Sequence, residues 1–274
     1  MIRIKGLTKK YGNKKVLENI NLDLKKGKRY GVIGVNGAGK TTLLNCITKI
    51  IVNYDGTIKG LEDFGYQPQT SALDPDAKVK NEIRFLAKLK GLTYKEVKDV
   101  FKLLKIDFEN EKIKNLSNGM KRKVDIAQAL LGKPKVLILD EPTAGLDPKA
   151  IVEIRNIIKE IDVETLIMTS HITKDISSIC DEIILIEKDG VLNKKRDVKS
   201  KNIVKLVFKK QPSKKDINLI KKMKHVNDLK IVNNEVFIHF SNESFIKSDV
   251  SKLLGEEINV DSVHYGGELD DEFV

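Results

Sequence analysis

The run Gly34-Val35-Asn36-Gly37-Ala38-Gly39-Lys40-Thr41-Thr42 constrains this chain more than any other stretch, because of what stands on either side of it. Before it, the segment from Arg29 to Ile33 reads as a short buried strand. After it, Leu43, Leu44, Ile47, Ile50 and Ile51 fall on one face of a helix. A strand, a glycine-rich loop and a helix in that order form a cradle for an anion. Glycines let backbone N–H groups curl inward without Cβ clashes, and a helix N-terminus favours negative charge. In such a loop Asn36, Gly37, Ala38, Gly39 and Thr42 line the phosphates, Lys40 reaches the terminal ones, and the Thr41 hydroxyl is placed to ligate Mg²⁺.

The rest of the first two hundred residues supplies a sheet for that loop. Ile2–Lys5 and Leu17–Leu24 alternate as strands of an antiparallel layer, and Gly56–Gly60 suggests another short strand. Residues 78–105 are helical in pattern, with Ile83, Leu86 and Leu89 in register and a break at Gly91. The run Val136–Leu139 has no polar interruption, which fits a strand buried on both faces of a parallel sheet, and Thr165–Met168 and Glu182–Ile186 resume the pattern. Asp147-Pro148 opens a helix with Ile151, Ile154, Ile158 and Ile161 on its apolar face. Strands and helices alternate, so the fold class is α/β. Ligands of such sheets bind at the carboxyl ends of the strands. There Asp140 can anchor a Mg²⁺ shell and Glu141 can orient or deprotonate an attacking water.

At 274 residues, one large domain and one small one are expected. No apolar run is long enough to span a bilayer, and the first residues carry no signal-peptide core. The two cysteines, Cys46 and Cys180, fall in apolar helical patterns and read as core residues. The net charge of +11 is uneven: Lys194 to Lys230 holds 14 Lys/Arg against 3 Asp/Glu, without aromatic platforms. Such a block suits a solvated surface, nucleic acid or anionic lipid.

Leu116-Ser117-Asn118-Gly119-Met120 precedes a helix with Val124, Ala127 and Leu131 on one face, just upstream of the acidic strand. Taken alone, Ser117 is a helix N-cap worth about 1 kcal/mol. Placed between the phosphate loop and the acidic strand, the segment resembles the signature sequence of the nucleotide-binding subunits of ATP-binding cassette (ABC) transporters, Leu-Ser-Gly-Gly-Gln. Asn118 and Met120 depart from that pattern, while the serine and the second glycine are kept. The resemblance covers roughly residues 1–195. It implies a P-loop cassette with a parallel-sheet core, an N-terminal antiparallel β layer and a helical subdomain over about 72–132.

The resemblance also implies roles residue by residue. Tyr11 matches the aromatic that stacks on adenine, Gln69 the glutamine that senses Mg²⁺ and the membrane partner, Ala144–Asp147 the loop exchanged between subunits, and His171 the switch histidine. Gln67 competes with Gln69, which is preferred because Gln67 lies closer to the strand. Tyr11 also reads as a turn aromatic, and Asp147 before Pro148 as a helix N-cap. The implied mechanism divides a Mg²⁺-dependent ATP site between two cassettes. Lys40, Thr41, Gln69, Asp140, Glu141 and His171 come from one copy, and Ser117 and Gly119 of the other close over the γ-phosphate. Hydrolysis then drives separate transmembrane permease subunits, with the chain cytoplasmic and peripheral to the inner face of the membrane. An ABC ATPase acting on nucleic acid, ribosomes or another assembly is the alternative. The tandem cassettes of the translation factors and the coiled coil of the repair ATPases are both missing here.

From residue 202 onward the pattern becomes β-α-β-β-α-β, a ferredoxin-like order: strands at 203–208, 229–232, 235–240 and 258–263, helices at 213–224 and 245–254. A small α+β accessory domain over 202–274 is similar to the tails of exporter-type subunits for drugs and antimicrobial peptides. Met120 and the closing run Glu268–Phe273 point the same way.

Overall fold

The computed structural model describes residues 1–187, 192–197, 203–241, 243–256 and 258–265. The chain divides into two compact units, one over Met1–Arg196 and one over Asp197–Leu269. The run Glu268–Phe273 lies outside the described residues.

The first unit opens with β1 (Ile2–Tyr11) and β2 (Lys14–Leu24), long antiparallel partners joined at Gly12-Asn13; β4 (Asp55–Lys59) pairs on the other side of β1. Their alternation buries Ile2, Ile4, Leu7, Leu17, Ile20, Leu22 and Leu24 on one face, and that face packs into the same core as the parallel sheet. β1 runs on through Tyr11, past the expected Ile2–Lys5, because irregularities in its pairing keep Leu7 turned inward.

A six-stranded sheet contains β3 (Arg29–Ile33), β5 (Phe64–Gln67), β6 (Val136–Leu139), β7 (Thr165–Ser170), β8 (Glu182–Ile186) and β9 (Leu192–Asp197) in the order β5-β6-β7-β3-β8-β9, with β5, β6, β7, β3 and β8 parallel. All four residues of β6 and all six of β7 are buried, as expected of strands covered on both faces. The helices α1 (Lys40–Ile47), α5 (Pro148–Glu160) and α6 (Thr173–Ile179) connect these strands. Helix α1 stops at Ile47, short of the apolar face drawn through Ile50. Thr48 caps it, Lys49 turns left-handed at φ 61° and Ile50 is exposed. Cys46 and Cys180 are free thiols in the core, and burial pushes the Cys46 thiol up to about 11.

Between β5 and β6 a helical arm is inserted: α2 (Val79–Leu89), α3 (Tyr94–Leu103) and α4 (Asn118–Leu130). Val79, Ile83, Ala87, Val97, Val100 and Phe101 turn inward at helical spacing, and Thr93 with Glu96 forms a capping box at the start of α3. The arm meets the sheet where α4 crosses β5. At Gly65 a Cβ would lie 1.7 Å from the Ala129 carbonyl oxygen, so only glycine permits that crossing.

The second unit is built from β10 (Ile203–Phe208), α7 (Lys214–Lys221), β11 (Val226–Val232), β12 (Glu235–Phe240), α8 (Ile246–Leu254) and β13 (Val260–Tyr265). The strands pair antiparallel in the order β11-β12-β10-β13, the ferredoxin-like arrangement expected from the element order. Val204, Leu206, Val236 and Ile238 face Ile220, Ile246, Val250 and Leu253, so both helices cover one side of this sheet. β11 begins at Val226, three residues before the expected start. Val226 pairs with Phe240 across a register shift at Asn227-Asp228 that hides the alternation.

Candidate active site

Strands β5, β6, β7 and β3 are parallel neighbours, so their carboxyl ends share one edge of the sheet. That edge carries Gln67-Pro68-Gln69 after β5, Asp140-Glu141 after β6, His171 after β7 and the glycine-rich loop after β3. Topology alone therefore collects residues from four distant stretches of sequence.

Within the loop, Gly37 and Gly39 have φ of 82° and 102°. A Cβ at Gly39 would come within 2.8 Å of the Val16 carbonyl oxygen, whereas at Gly37 nothing stands within 4 Å. A cavity of about 450 Å³ opens here, lined by Tyr11, Val16, Asn36, Gly37, Gly39, Lys40, Thr41, Thr42, Gln69 and Glu141. Ala38 is buried behind the loop.

Lys40 is buried and donates to the Gly34 carbonyl at 2.6 Å; its Nζ also lies 3.2 Å from Glu141 Oε1. The other carboxylate oxygen of Glu141 is 2.8 Å from His171 Nδ1. Glu141 is thus held between a buried lysine and a half-exposed imidazole. Its φ of 50° is left-handed, a conformation unfavourable for a residue with a side chain. The backbone is held there by a hydrogen bond from the Glu141 N–H to Thr169 Oγ1, at 2.8 Å. The same Thr169 hydroxyl donates to Asp140 Oδ1 at 2.6 Å.

Asp140 is fully buried, and its Oδ2 has no hydrogen-bond partner among the described residues. Burial pushes its carboxyl pKa up, while the Thr169 and Thr41 hydroxyls beside it pull the other way. A sealed carboxylate oxygen with spare accepting capacity, next to a threonine hydroxyl, fits a hard divalent cation. Among the described residues no group of three or more His, Cys, Asp or Glu could hold a metal unaided.

The two glutamines separate cleanly. Gln67 is sealed at the end of β5, donating through Nε2 to the Pro68 and Asp140 carbonyls, whereas Gln69 is exposed and lines the cavity. Tyr11 is 52% exposed at the rim, with Lys9 Nζ 4.9 Å from its ring centre.

Six expected site residues do not line this cavity: Ala38, Asp140 and His171, each next in sequence or hydrogen-bonded to a residue that does, and Ser117, Gly119 and Asp147. Ser117 is the exposed N-cap of α4, accepting from Met120 N–H at 3.2 Å, and Gly119 follows on the same helix. A Cβ at Gly119 would stand 3.0 Å from Ala150. Asp147 caps α5, accepting from Lys149 and Ala150 N–H at 3.1 Å. Asn118 donates to the Gly145 carbonyl at 3.4 Å, joining the two segments.

Sequence reasoning passed over the supports. Asp175 on α6 is fully buried; its carboxylate accepts from the Thr143 hydroxyl, two residues past Glu141, and from Ser170, one residue before His171. Arg155 on α5 completes the pair. Asp175 therefore ties together the two backbone segments that carry Glu141 and His171. Arg122 reaches the Gln69 carbonyl and Asp125 accepts from Ser71, so α4 holds the Gln69 segment. The one available hint was Thr169-Ser170, a polar pair ending an otherwise apolar strand.

A family model for ABC transporters matches residues 17–144. The linearmycin resistance ATP-binding protein of Bacillus subtilis is 30% identical, over 95% of this chain and 92% of its own length. The chain belongs to the ABC transporter ATP-binding family. The lantibiotic transport ATP-binding protein of Streptococcus pyogenes is likewise 30% identical, over 75% of this chain and 95% of its own. Among solved structures, a dimeric ABC cassette in a post-hydrolysis state with ADP and phosphate superposes with a TM-score of 0.65. It is 26% identical and covers 72% of this chain and 99% of the other. This ABC cassette binds and hydrolyses ATP to power transport, and none of its described helices is long and apolar enough to cross a membrane.

Proposed function

We propose that this cassette works as one of a pair, each copy completing the other's ATP site, and that the pair drives separate membrane subunits in export. The observation that carries this reading is the split within one chain. The loop cavity holds Lys40, Thr41, Gln69 and Glu141 together, while Ser117 and Gly119 stand outside it at a solvent-exposed helix N-terminus. Free N–H groups at the start of α4 suit the γ-phosphate of nucleotide held by a second copy.

In this reading the loop amides from Asn36 to Thr42 cradle the phosphates, and Tyr11 stacks on the base. Asp140, the Thr41 hydroxyl and Gln69 hold Mg²⁺, which when bound neutralises phosphate charge. Lys40 leaves Glu141 for the β- and γ-phosphates. Glu141, released from that ion pair, takes the proton of the attacking water, and His171 keeps the carboxylate aimed. The Ala144–Asp147 loop of each copy is exchanged with the other, bringing Asp147 to the shared nucleotide site.

The names of the linearmycin and lantibiotic relatives support export of antimicrobial compounds. With no membrane-spanning helix among the described residues, the chain sits at the inner face of the membrane through a permease. The division into a cassette at 1–195 and an accessory domain at 202–274 follows the same reading.

Specific ATPase activity measured against protein concentration tests the shared site. Activity per molecule should rise with concentration as pairs form; a constant value down to nanomolar protein would overturn the pairing. Affinity purification from native membranes should bring down a polytopic subunit, and recovery of ribosomes or DNA instead would favour the non-transport alternative.

A further inference from the structure

The second unit has two unlike sides. On the helical side, α7 turns Ile217 and Ile220 inward, and Met223 just past its end packs on the same core. Lys214, Lys215, Asn218, Lys221 and Lys222 occupy the opposite arc, about 120° wide. The turn before it adds exposed Lys209 and Lys210, and α8 adds exposed Lys247 and Lys252. The acids within these two helices are buried and paired. Asp216 is buried as the partner of the Ser213 cap, and Asp249 is buried against His225. On the far side of the sheet the charges are mixed, as in the Lys205–Glu235 pair. Exposed lysines thus outnumber exposed acids on the helical side of the unit.

A groove of about 320 Å³ opens on the helical side. Leu219, Met223 and Leu253 give it apolar walls, and Lys222, Lys224 and Lys252 outnumber its two acids, Asp249, which is tied to His225, and Glu256, just past the end of α8. His225 also lines it, stacked on Phe245 at 3.9 Å between ring centres and tied to Asp249 at 2.8 Å. An apolar cleft among flexible ammonium groups matches a phosphodiester attached to hydrocarbon. Nucleic-acid recognition calls for arginine forks or a row of open aromatic platforms; no arginine lies among the described residues of this side, and the exposed Phe245 has one ring face covered by His225.

We propose that the helical side of the second unit binds the anionic phospholipid surface of the membrane, with headgroup phosphates on the lysines and the first acyl carbons in the groove. The proposal rests on the transporter reading only for what brings the chain to a bilayer. It gives residues 202–274 a role that the ATP site does not need. Each lysine held near an anionic surface strengthens binding roughly fivefold at moderate salt, and the effect is screened as salt rises.

The test is flotation of the full-length protein, without nucleotide, with vesicles of phosphatidylcholine alone or with about a third phosphatidylglycerol. We expect at least tenfold stronger partitioning to the anionic vesicles, weakened by high salt. Joint Lys214→Glu, Lys221→Glu and Lys222→Glu substitution should reduce it tenfold or more, and the milder Lys→Gln set should reduce it in the same direction. A charge-matched reversal of Lys95, Lys98 and Lys102 on α3 should leave it within twofold. Circular dichroism and melting check that each variant is folded. Equal loss in both triple variants would mean net charge alone and would overturn the site. So would no preference for anionic vesicles, or tighter binding of single-stranded RNA that the α7 reversal abolishes. ATPase activity of the same preparation separates the two readings. A chain that hydrolyses ATP without floating refutes only the lipid surface, and one that floats without hydrolysing refutes only the ATP site.

Discussion

The loop cavity and the Ser117 corner belong to one unit yet are built on opposite plans. In the cavity, charge is taken out of water and locked: the Lys40 and Glu141 side chains are 7% and 5% exposed, and each holds the other. At the corner, Ser117, Asn118 and Asp147 are exposed, and their hydrogen bonds go to nearby backbone only. Burying two charges costs several kcal/mol apiece before pairing returns it, so the cavity is committed to one geometry. The corner commits little and keeps helix N–H groups available. Under the proposed pairing, the difference is that between a site waiting for substrate and a surface waiting for another copy of the site.

The comparison breaks first at Glu141. Glu141→Gln keeps the size of the side chain and removes the base, so ATP turnover should fall about a thousandfold while binding persists. ATP-bound pairs should then accumulate on gel filtration, and steady-state hydrolysis at the normal rate would remove Glu141 from that role. The corner comes next. Ser117→Arg should leave ATP binding to the isolated chain within about twofold and abolish pairing, with activity down about a hundredfold through loss of the second anion site. Ser117→Ala is the control for the cap alone, which is worth about 1 kcal/mol of stability. A Glu141→Gln, Ser117→Arg double variant that still pairs would show that the corner is not the other half.

The contrast also sorts what could be read from residues alone. The cavity was legible because its parts are written locally: Gly34–Thr42 carries its strand and helix with it, and Asp140-Glu141 directly follows an unbroken apolar run. Most strands of the first unit and the ferredoxin-like order of the second follow from period-two alternation and apolar runs in the same way, whereas β5 (Phe64–Gln67) and the polar β9 (Leu192–Asp197) show neither pattern. The ends of elements were less legible. Helix α1 ends four residues before its apolar periodicity does, because a left-handed Lys49 turns the chain, and nothing in a lysine announces that. The supports were least legible of all. Asp175 sits 34 residues beyond Glu141 as an acid in a helix, and only the packing of α6 on the sheet brings its carboxylate to Thr143 and Ser170.

Asp175→Asn therefore tests whether the cavity's geometry is held from behind. The change leaves Arg155 without a carboxylate in a largely buried site, so stability should drop by about 3 kcal/mol, read in urea unfolding. If Asp175 does no more than stabilise, the folded fraction should hydrolyse ATP normally. If it positions Glu141 against His171, kcat should fall about tenfold with KM unchanged, since loosening by a fraction of an ångström affects the reacting geometry more than nucleotide binding. Asp175→Glu, which keeps the charge, should recover part of kcat. An unchanged kcat in folded Asp175→Asn would reduce the residue to a structural ion pair.

The smallest effect is expected at the rim, where the cavity begins to resemble the corner. Tyr11 is 52% exposed and its side chain makes no hydrogen bond among the described residues, so the contribution proposed for it is contact with a base. Stacking of this kind is worth about 1 kcal/mol, so Tyr11→Ala should weaken ATP binding roughly fivefold and leave kcat at saturation unchanged. Tyr11→Trp should bind at least as well as the parent, because any flat aromatic suffices. A stacking platform reads no base edge, so ATP and GTP should lose affinity in equal measure. Titration with fluorescent nucleotides gives these ratios directly. A loss confined to ATP would mean that Tyr11 recognises adenine itself, and a fall in kcat would move it from the rim into the buried, coupled part of the site.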